Sequence, residues 1–437
     1  MIFLKDKVNL FCIVLYAALC LGFVFINFTP SDNVVYFIIA YSLGFIIVVV
    51  LYFKNRDSHN ISFTEILFIT VSLKIILLFA APVTSNDYSR YLWDGKVQAT
   101  GINPFIYAPG DKELEFLQDD KIFPLITYKE IKTIYPPFAQ IIFFLNQILF
   151  SGSLFGLKIF FLIFDIGVLV FLCKILLLLK LNANYILIYA LSPLILFEII
   201  LNVHVDILLL FFLTGSIYFI LSGKYNLSFL MLGFSVMSKF YSAIFLPLFI
   251  FELFKSGNSK KIITCVLFFS APLLLLLIYY NGISDMLGVI QNYESHWYFN
   301  ALPFKVVSEL FSSFGIENHL IVRMLFKSIF VFLLLYYSFS SKPFINKIAV
   351  VFFIYFFLNT TVYPWYLIPL SIMLVINFNY TFLFWTGIIG LTNLTVFEYV
   401  KTGVWSDNNY ILFIEYFLLP VLFIYEYRKN TILKKAF

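Results

Sequence analysis

Residues 87–109 read DYSRYLWDGKVQATGINPFIYAP, the long polar interruption in a chain that is otherwise strongly apolar. An apolar run ends just before it at Ala81-Pro82, so Asp87 stands where that run should leave a bilayer. Written as a helix, Asp87, Arg90 and Asp94 fall at i, i+3 and i+7, within about 60° of one another around the axis. Lys96 points the opposite way. An acid, a guanidinium and an acid on one face, with Tyr88, Tyr91 and Trp93 between them, mark this stretch as the expected reaction centre.

The rest of the composition says what holds that face in place. Of 437 residues, 62% are hydrophobic and 12% charged, and the mean hydropathy is +0.95. A soluble chain would carry roughly a quarter charged residues. The expectation is therefore an all-α polytopic membrane protein: one membrane-embedded unit over 1–437, about 12–14 transmembrane helices, and no soluble domain. The net charge of +5 is concentrated in short loops and the C-terminal tail, which reports topology and not nucleic-acid binding. Cys12, Cys20, Cys173 and Cys265 lie inside apolar runs without metal-ligand spacing, so neither disulfides nor a zinc site is expected. Lys5 and Lys7 precede the first apolar run with no small-residue cleavage signal, which reads as an uncleaved anchor.

Apolar runs fall at 8–28, 34–53, 63–82, 157–179, 184–200, 204–222, 260–280, 323–340, 345–361, 364–378, 380–398 and 410–427. Lysine and arginine in the short loops orient them. Lys5/Lys7, Lys54/Arg56, Lys180, Lys224, Lys255/Lys260/Lys261, Lys342/Lys347 and the tail Arg428/Lys429/Lys434/Lys435 should be cytoplasmic; loops 29–33, 200–204 and 361–364 should be external. This works only if 227–254 enters and leaves on the cytoplasmic side. Two arms of 12 to 14 residues reach only ~20 Å each, so the segment reads as a hairpin with Lys239 at its tip, against the blander alternative of one tilted, kinked span. Both termini are then cytoplasmic, and the loops 83–156 and 281–322 share the external side of the cell membrane. The run 138–150 is too short to span, and reads as interfacial or dipping partway in.

Other residues that carry chemistry cluster at span ends. SPLILFEIILNVHVD (192–206) brings Glu198, His204 and Asp206 around one helix end, where ionisable groups point to a polar cavity. A metal held by His204 and Asp206 is a weak reading, since i and i+2 lie on different helix faces. Lys239 needs an anion, either a phosphate or a structural carboxylate. His296-Trp297 and Tyr363-Pro364-Trp365-Tyr366 sit in aromatic sets that ordinarily anchor a chain at the interface. Glu252, Asp165 and Lys158 read as structural or snorkelling. Alternating charge and aromatic surface suits a pyranose and a phosphate, because rings stack on a sugar's apolar face and carboxylates accept hydroxyl protons.

The run Asp87-Tyr88-x-Arg90-Tyr91-x-Trp93-Asp94-Gly95, followed by Gly101-Ile102-Asn103-Pro104 and Ala108-Pro109, resembles the first external loop of GT-C-fold glycosyltransferases. It is similar in particular to the bacterial branch with polyprenyl-phosphate-mannose-dependent mannosyltransferases. Tyr135-Pro136-Pro137, Ser192-Pro193-Leu194 with His204-x-Asp206, Ser238-Lys239-Phe240 and Tyr363-Pro364-Trp365-Tyr366 follow in a similar order. The resemblance is strongest over 85–109 and weak after about 380. It implies inverting transfer of a sugar, mannose first among candidates, from a polyprenyl-phosphate donor to a glycan or glycolipid acceptor on the external face. It implies that Asp87 is the catalytic base. The candidate substrate-binding positions read from the residues are Arg90, Trp93, Asp94, Tyr135, Glu198, His204, Asp206, Lys239, His296, Trp297 and Trp365. The chain departs from relatives with a soluble C-terminal domain, and it lacks an Asp-x-Asp in the first loop. No cofactor is expected, and metal dependence stays open.

The chemistry agrees with that implication. Inverting transfer needs one base, and a phosphate leaving group needs no general acid. Glycosidases need two neighbouring carboxyls, whereas Asp87 and Asp94 would be separated by about 10 Å of axial rise. The rivals are a lipid-linked-sugar flippase or transporter, which predicts inverted repeats and functional residues near the midplane, and a surface-polysaccharide polymerase or ligase fed by a diphosphate-linked donor.

Overall fold

The computed structural model describes residues 3–26, 29–58, 61–316 and 318–428; the tail residues Lys429, Lys434 and Lys435 lie outside the described residues. Every element among these is helical, apart from a bridge between Phe299 and Thr361. The first three helices show why their starts are so well defined. Asp6 accepts from the amides of Val8 and Asn9 ahead of α1 (Lys7–Phe25). Thr29, followed by Pro30, caps α2 (Pro30–Asn55), and Ser62 caps α3 (Phe63–Leu78). A capping oxygen satisfies amides that have no partner inside the helix, and proline at the first position sacrifices none. Beyond the caps these helices are apolar nearly all round, as bilayer-spanning helices are.

Among the described residues, seven helices are long and apolar enough to cross a membrane: α1, α2, α6 (Leu154–Leu178), α10 (Ser259–His296), α11 (His319–Phe339), α14 (Tyr380–Thr402) and α15 (Asn409–Glu426). The pair Ala183–Ala190 and Pro193–Leu201, bent by 50°, makes an eighth if it crosses as one. These are fewer than the about 12–14 transmembrane helices expected from apolar runs, some of which are shorter than a full span. Other expected crossings are helices of 16 residues or fewer, among them α3, α7 (Asp206–Leu221), α12 (Phe344–Phe357) and the stretch α13 (Pro364–Ile376). The reason is local: α7 and α13 start at His204-Val205-Asp206 and Tyr363-Pro364, where polar groups or proline cut an apolar run short.

The basic loops gather at one end of the bundle. Lys54 pairs with Asp6, Asn182 donates to the carbonyl of Ser58 (2.9 Å), Phe53 stacks on Tyr380, and Lys255 reaches the carbonyl of Ser341. The segment between α8 (Tyr225–Ser238) and α9 (Leu246–Lys255) breaks at Lys239, whose backbone is extended. Its two arms return to the same end, since Asn258 donates to the Tyr225 hydroxyl (3.1 Å) and Lys261 lies over the Tyr225 ring. Lys239 meanwhile meets Asp206, at the far end of α7. The hairpin expected at 227–254 is the arrangement found.

At that far end the two long loops meet. Lys132 pairs with Asp285 (2.9 Å), Asn103 donates to the carbonyl of Tyr279, and Tyr128 sets its ring edge-on to Trp297. The second polar segment is more helical than a loop, because α10 continues through a break at Tyr279 to His296. Within the first, α4 (Asp87–Ala99) packs on α5 (Pro137–Phe150) so closely that a Cβ on Gly95 would lie 2.4 Å from the carbonyl oxygen of Phe143. That obstacle is backbone and cannot swing aside. Gly95→Ala is expected to cost about 1–3 kcal/mol by overpacking and to cut activity by displacing α4. Gly288→Ala, with nothing within 4 Å of its Cβ, serves as the silent control; equal thermal melting of the two variants would refute this reading.

Candidate active site

A strained turn delivers two of the site's side chains. Glu198 lies in a π-helical stretch, Leu196–Leu201, and Val203 follows with φ +64°. Positive φ is a genuine outlier for a β-branched residue, with a cost on the order of 1–3 kcal/mol, so the surroundings must hold it. They do so through Asn202. Its backbone amide donates to the carbonyl of Phe197 (2.8 Å), and its side-chain oxygen accepts from the amides of Val83 (2.9 Å) and Thr84 (3.3 Å). Its side-chain nitrogen donates to Thr84 Oγ1 (2.7 Å) and Glu198 Oε2 (3.1 Å). One residue thereby ties the turn carrying Glu198 and His204 to the chain that leads into Asp87.

His204 Nδ1 lies 3.8 Å from Asp87 Oδ2, and its Nε2 lies 3.3 Å from Glu198 Oε2. The imidazole stacks on Trp365 with centroids 3.8 Å apart and planes 14° apart. Glu198 and His204 are fully buried, yet among the described residues neither ring nitrogen nor Glu198 Oε1 has a hydrogen-bond partner. Buried polar atoms are ordinarily satisfied, so these three mark a place built for something other than packing. Asp206, also buried, pairs with Lys239 at 2.5 Å, and the ammonium sits 4.4 Å from the centre of the Tyr366 ring.

Asp87 has no charged partner closer than 3.8 Å among the described residues. Burial pushes its pKa above the ordinary carboxylate value, against the opposing pull of His204 and Lys239. The side chain is still 37% accessible, so the push comes from the packed walls of a cleft and not from enclosure. Those walls are aromatic. Trp365 stacks on Tyr363 (4.5 Å, 3°), Tyr363 accepts from Trp297 Nε1 (2.8 Å), and the Tyr293 and Tyr366 hydroxyls are 3.3 Å apart. Carboxylates, an ammonium and stacked rings around one cleft can bind a sugar phosphate and take a hydroxyl proton.

The sequence model described as alpha-(1->6)-mannopyranosyltransferase, N-terminal domain, matches residues 20–255, more than half of the chain. The chain belongs to this mannosyltransferase family. No curated protein and no solved structure matches it. The matched span contains Asp87, Glu198, His204, Asp206 and Lys239; the wall of Trp297, Tyr363, Trp365 and Tyr366 lies beyond it.

The mannosyltransferase places the remaining candidates differently from the helical-wheel expectation. Arg90 and Asp94 do not line the cleft with Asp87; they bond to each other (2.9 Å) and to the following loop. Arg90 donates to the carbonyl of Ile131, while Asp94, 1% exposed, accepts from Thr133 Oγ1 (2.6 Å) and Gln140 Nε2 (2.9 Å). The i,i+4 spacing that permits this pair outcompetes a shared open face. Trp93 is fully buried in a small core with Val97, Leu114, Leu117 and Ile126, leaving no ring surface for a ligand. Tyr135 packs edge-on against Tyr91 and Phe143 beneath Asp87. His296 is exposed, with Nδ1 within 2.8 Å of Ser295 Oγ, and stands apart from the cleft contacts made by Trp297. Lys158 donates to the carbonyls of Leu77 and Ala80, and Asp165 pairs with Lys74 and accepts from the Tyr189 hydroxyl, so both serve the bundle. Lys74 and Asn202 are absent from the sequence expectation, because nothing local distinguishes a lysine or asparagine whose partner lies more than 90 residues away. Among the described residues no group of three or more His, Cys, Asp or Glu is arranged to hold a metal ion.

Proposed function

We propose that this mannosyltransferase moves mannose from a polyprenyl-phosphate donor to a glycan or glycolipid acceptor, with inversion, at the external face of the cell membrane. Asp87 is the general base. The acceptor oxygen attacks the anomeric carbon as its proton passes to the Asp87 carboxylate. The bond from that carbon to the phosphate oxygen breaks, and its electron pair leaves with the phosphate, next to the Lys239 ammonium. The observation that carries this reading is the state of the carboxylates. Asp94 and Asp206 are committed to Arg90 and Lys239, whereas Asp87 opens onto the cleft without a close counter-charge. One free base beside one cation is what inverting displacement of a phosphate requires. The side follows from the gathering of basic loops at the opposite end, which the positive-inside bias puts in the cytoplasm.

The test is an assay of the purified full-length protein with a panel of polyprenyl-phosphate sugars, scoring released carrier and the anomeric configuration of the product. The expected result is turnover with the mannosyl donor and opposite configurations at C1 in donor and product. Retention, or turnover only with a diphosphate-linked donor, overturns the proposal. The pH profile supplies a second check. A base works only when deprotonated, and burial raises the pKa of Asp87. The acid limb of kcat/KM is therefore expected above the ordinary aspartate value of about 3.9, with activity lost as pH falls through it.

A further inference from the structure

A base that has taken the acceptor's proton must lose it before the next turnover, and three features point to where it goes. The imidazole of His204 stands between two carboxylates, with Nδ1 towards Asp87 and Nε2 towards Glu198. Both of its nitrogens and Glu198 Oε1 are buried and lack hydrogen-bond partners among the described residues. The ring is held face-on by Trp365, and Glu198 by Asn202. We propose that Glu198 and His204 form with Asp87 a carboxylate–imidazole–carboxylate relay, which takes the acceptor's proton from Asp87 after transfer and holds it until the product leaves. This rests on Asp87 being the base.

The step is a proton transfer without redox change. With its hydrogen on Nε2, facing Glu198, neutral His204 keeps a lone pair on Nδ1 directed at Asp87. The O–H bond of protonated Asp87 breaks as an N–H bond forms at Nδ1. The resulting imidazolium lies between the Glu198 carboxylate and the regenerated Asp87 carboxylate. The 3.8 Å gap exceeds a hydrogen bond by less than 1 Å, an adjustment within the range by which such contacts tighten once substrate is bound. The other charged groups facing Asp87 are Lys239, across the cleft, and Asp206, which Lys239 pairs. Neither offers a vacant acceptor: one is a cation, and the other is already bonded to it. Glu198 and His204 act through Asp87 and are positioning residues.

The test compares the pH dependence of kcat/KM for the full chain in lipid nanodiscs with that of Glu198→Gln and His204→Gln. In the relay a proton taken up by the pair rests on His204, whose positive charge then holds Asp87 ionised; without the ring that proton must stay on Asp87. The acid limb is expected to move upward by about 1 pH unit in His204→Gln and in the same direction, by less, in Glu198→Gln. An unmoved acid limb in both variants, or a rise in KM with kcat and the limb unchanged, overturns the relay and leaves His204 a substrate contact. Should His204→Gln not fold, the isosteric Glu198→Gln supplies the same readout. Asp87→Asn separates the two levels: retained activity overturns the base itself, whereas lost activity with unmoved limbs in the other variants overturns only the relay.

Discussion

Asp87→Asn is expected to abolish measurable transfer while leaving folding and membrane insertion intact. A positioned general base contributes about 10²–10⁴-fold, or roughly 3–5 kcal/mol of barrier at 1.36 kcal/mol per tenfold. The structural cost is far smaller. Asparagine has the same shape, and Asp87 is not committed to a close ion pair. At the first position of α4 the lost charge forfeits some interaction with the helix N-terminus, about 0.3–1 kcal/mol, but the substitution also removes the desolvation that raises the pKa of Asp87. The two oppose each other. Thermal unfolding in detergent beside a donor-release assay decides the matter: wild-type melting with activity reduced by two orders of magnitude or more is the expected pair of results. Substantial turnover by a well-folded Asp87→Asn protein removes Asp87 from the chemistry.

Lys239 presents the opposite balance, because it is committed to both structure and chemistry. Asp206 is buried, and its partner is the Lys239 ammonium. Removing one member of a buried pair leaves an uncompensated charge and typically costs about 3–5 kcal/mol. Lys239 is 23% exposed, and Asp206 begins α7, where a helix N-terminus partly supports a carboxylate, so Lys239→Met should fall at the low end of that range. Removing both charges in Asp206→Asn/Lys239→Met should recover most of the lost stability, as a double-mutant cycle for coupled residues requires. Activity should not return with it. If Lys239 balances the departing phosphate, the double variant melts near wild type yet binds donor poorly and turns over slowly. Recovery of both stability and turnover would make Lys239 a structural residue and place the phosphate elsewhere.

The fates of three neighbours on α4 show how far local sequence carries. A helical wheel puts Asp87, Arg90 and Asp94 on one face, and the helix does form over Asp87–Ala99. Yet Arg90 and Asp94 turn to each other, to Ile131 and Thr133 in the following loop, and to Gln140 on α5, all some 40 residues later. Spacing says which side chains can meet, but not which competing partner the tertiary structure will bring within reach. Trp93 makes the same point: amphipathic surface between charges suggested a sugar platform, and the fold used it as the core of a small lobe. The second cluster was more legible. Ionisable groups cost so much within apolar runs that Glu198, His204, Asp206 and Lys239 marked a polar cluster; in the structure Asp206 pairs with Lys239, and Glu198 and His204 face each other at 3.3 Å.

By itself, then, the sequence determined that the chain is helical and crosses the membrane repeatedly, where its polar groups lie, and that 227–254 turns back at Lys239. These follow from hydropathy, charge and the 1.5 Å rise of a helix, which act locally and add along the chain. Tertiary structure alone decided which carboxylate of the 87–109 stretch stays open. Asp94 lost that role to a buried network closed by distant residues. Asp87 kept it because Asn202 pins the chain ahead of α4 beside a strained turn, setting an imidazole opposite. Hydrogen bonds and strain of that kind join residues more than 100 positions apart, and no periodicity records them.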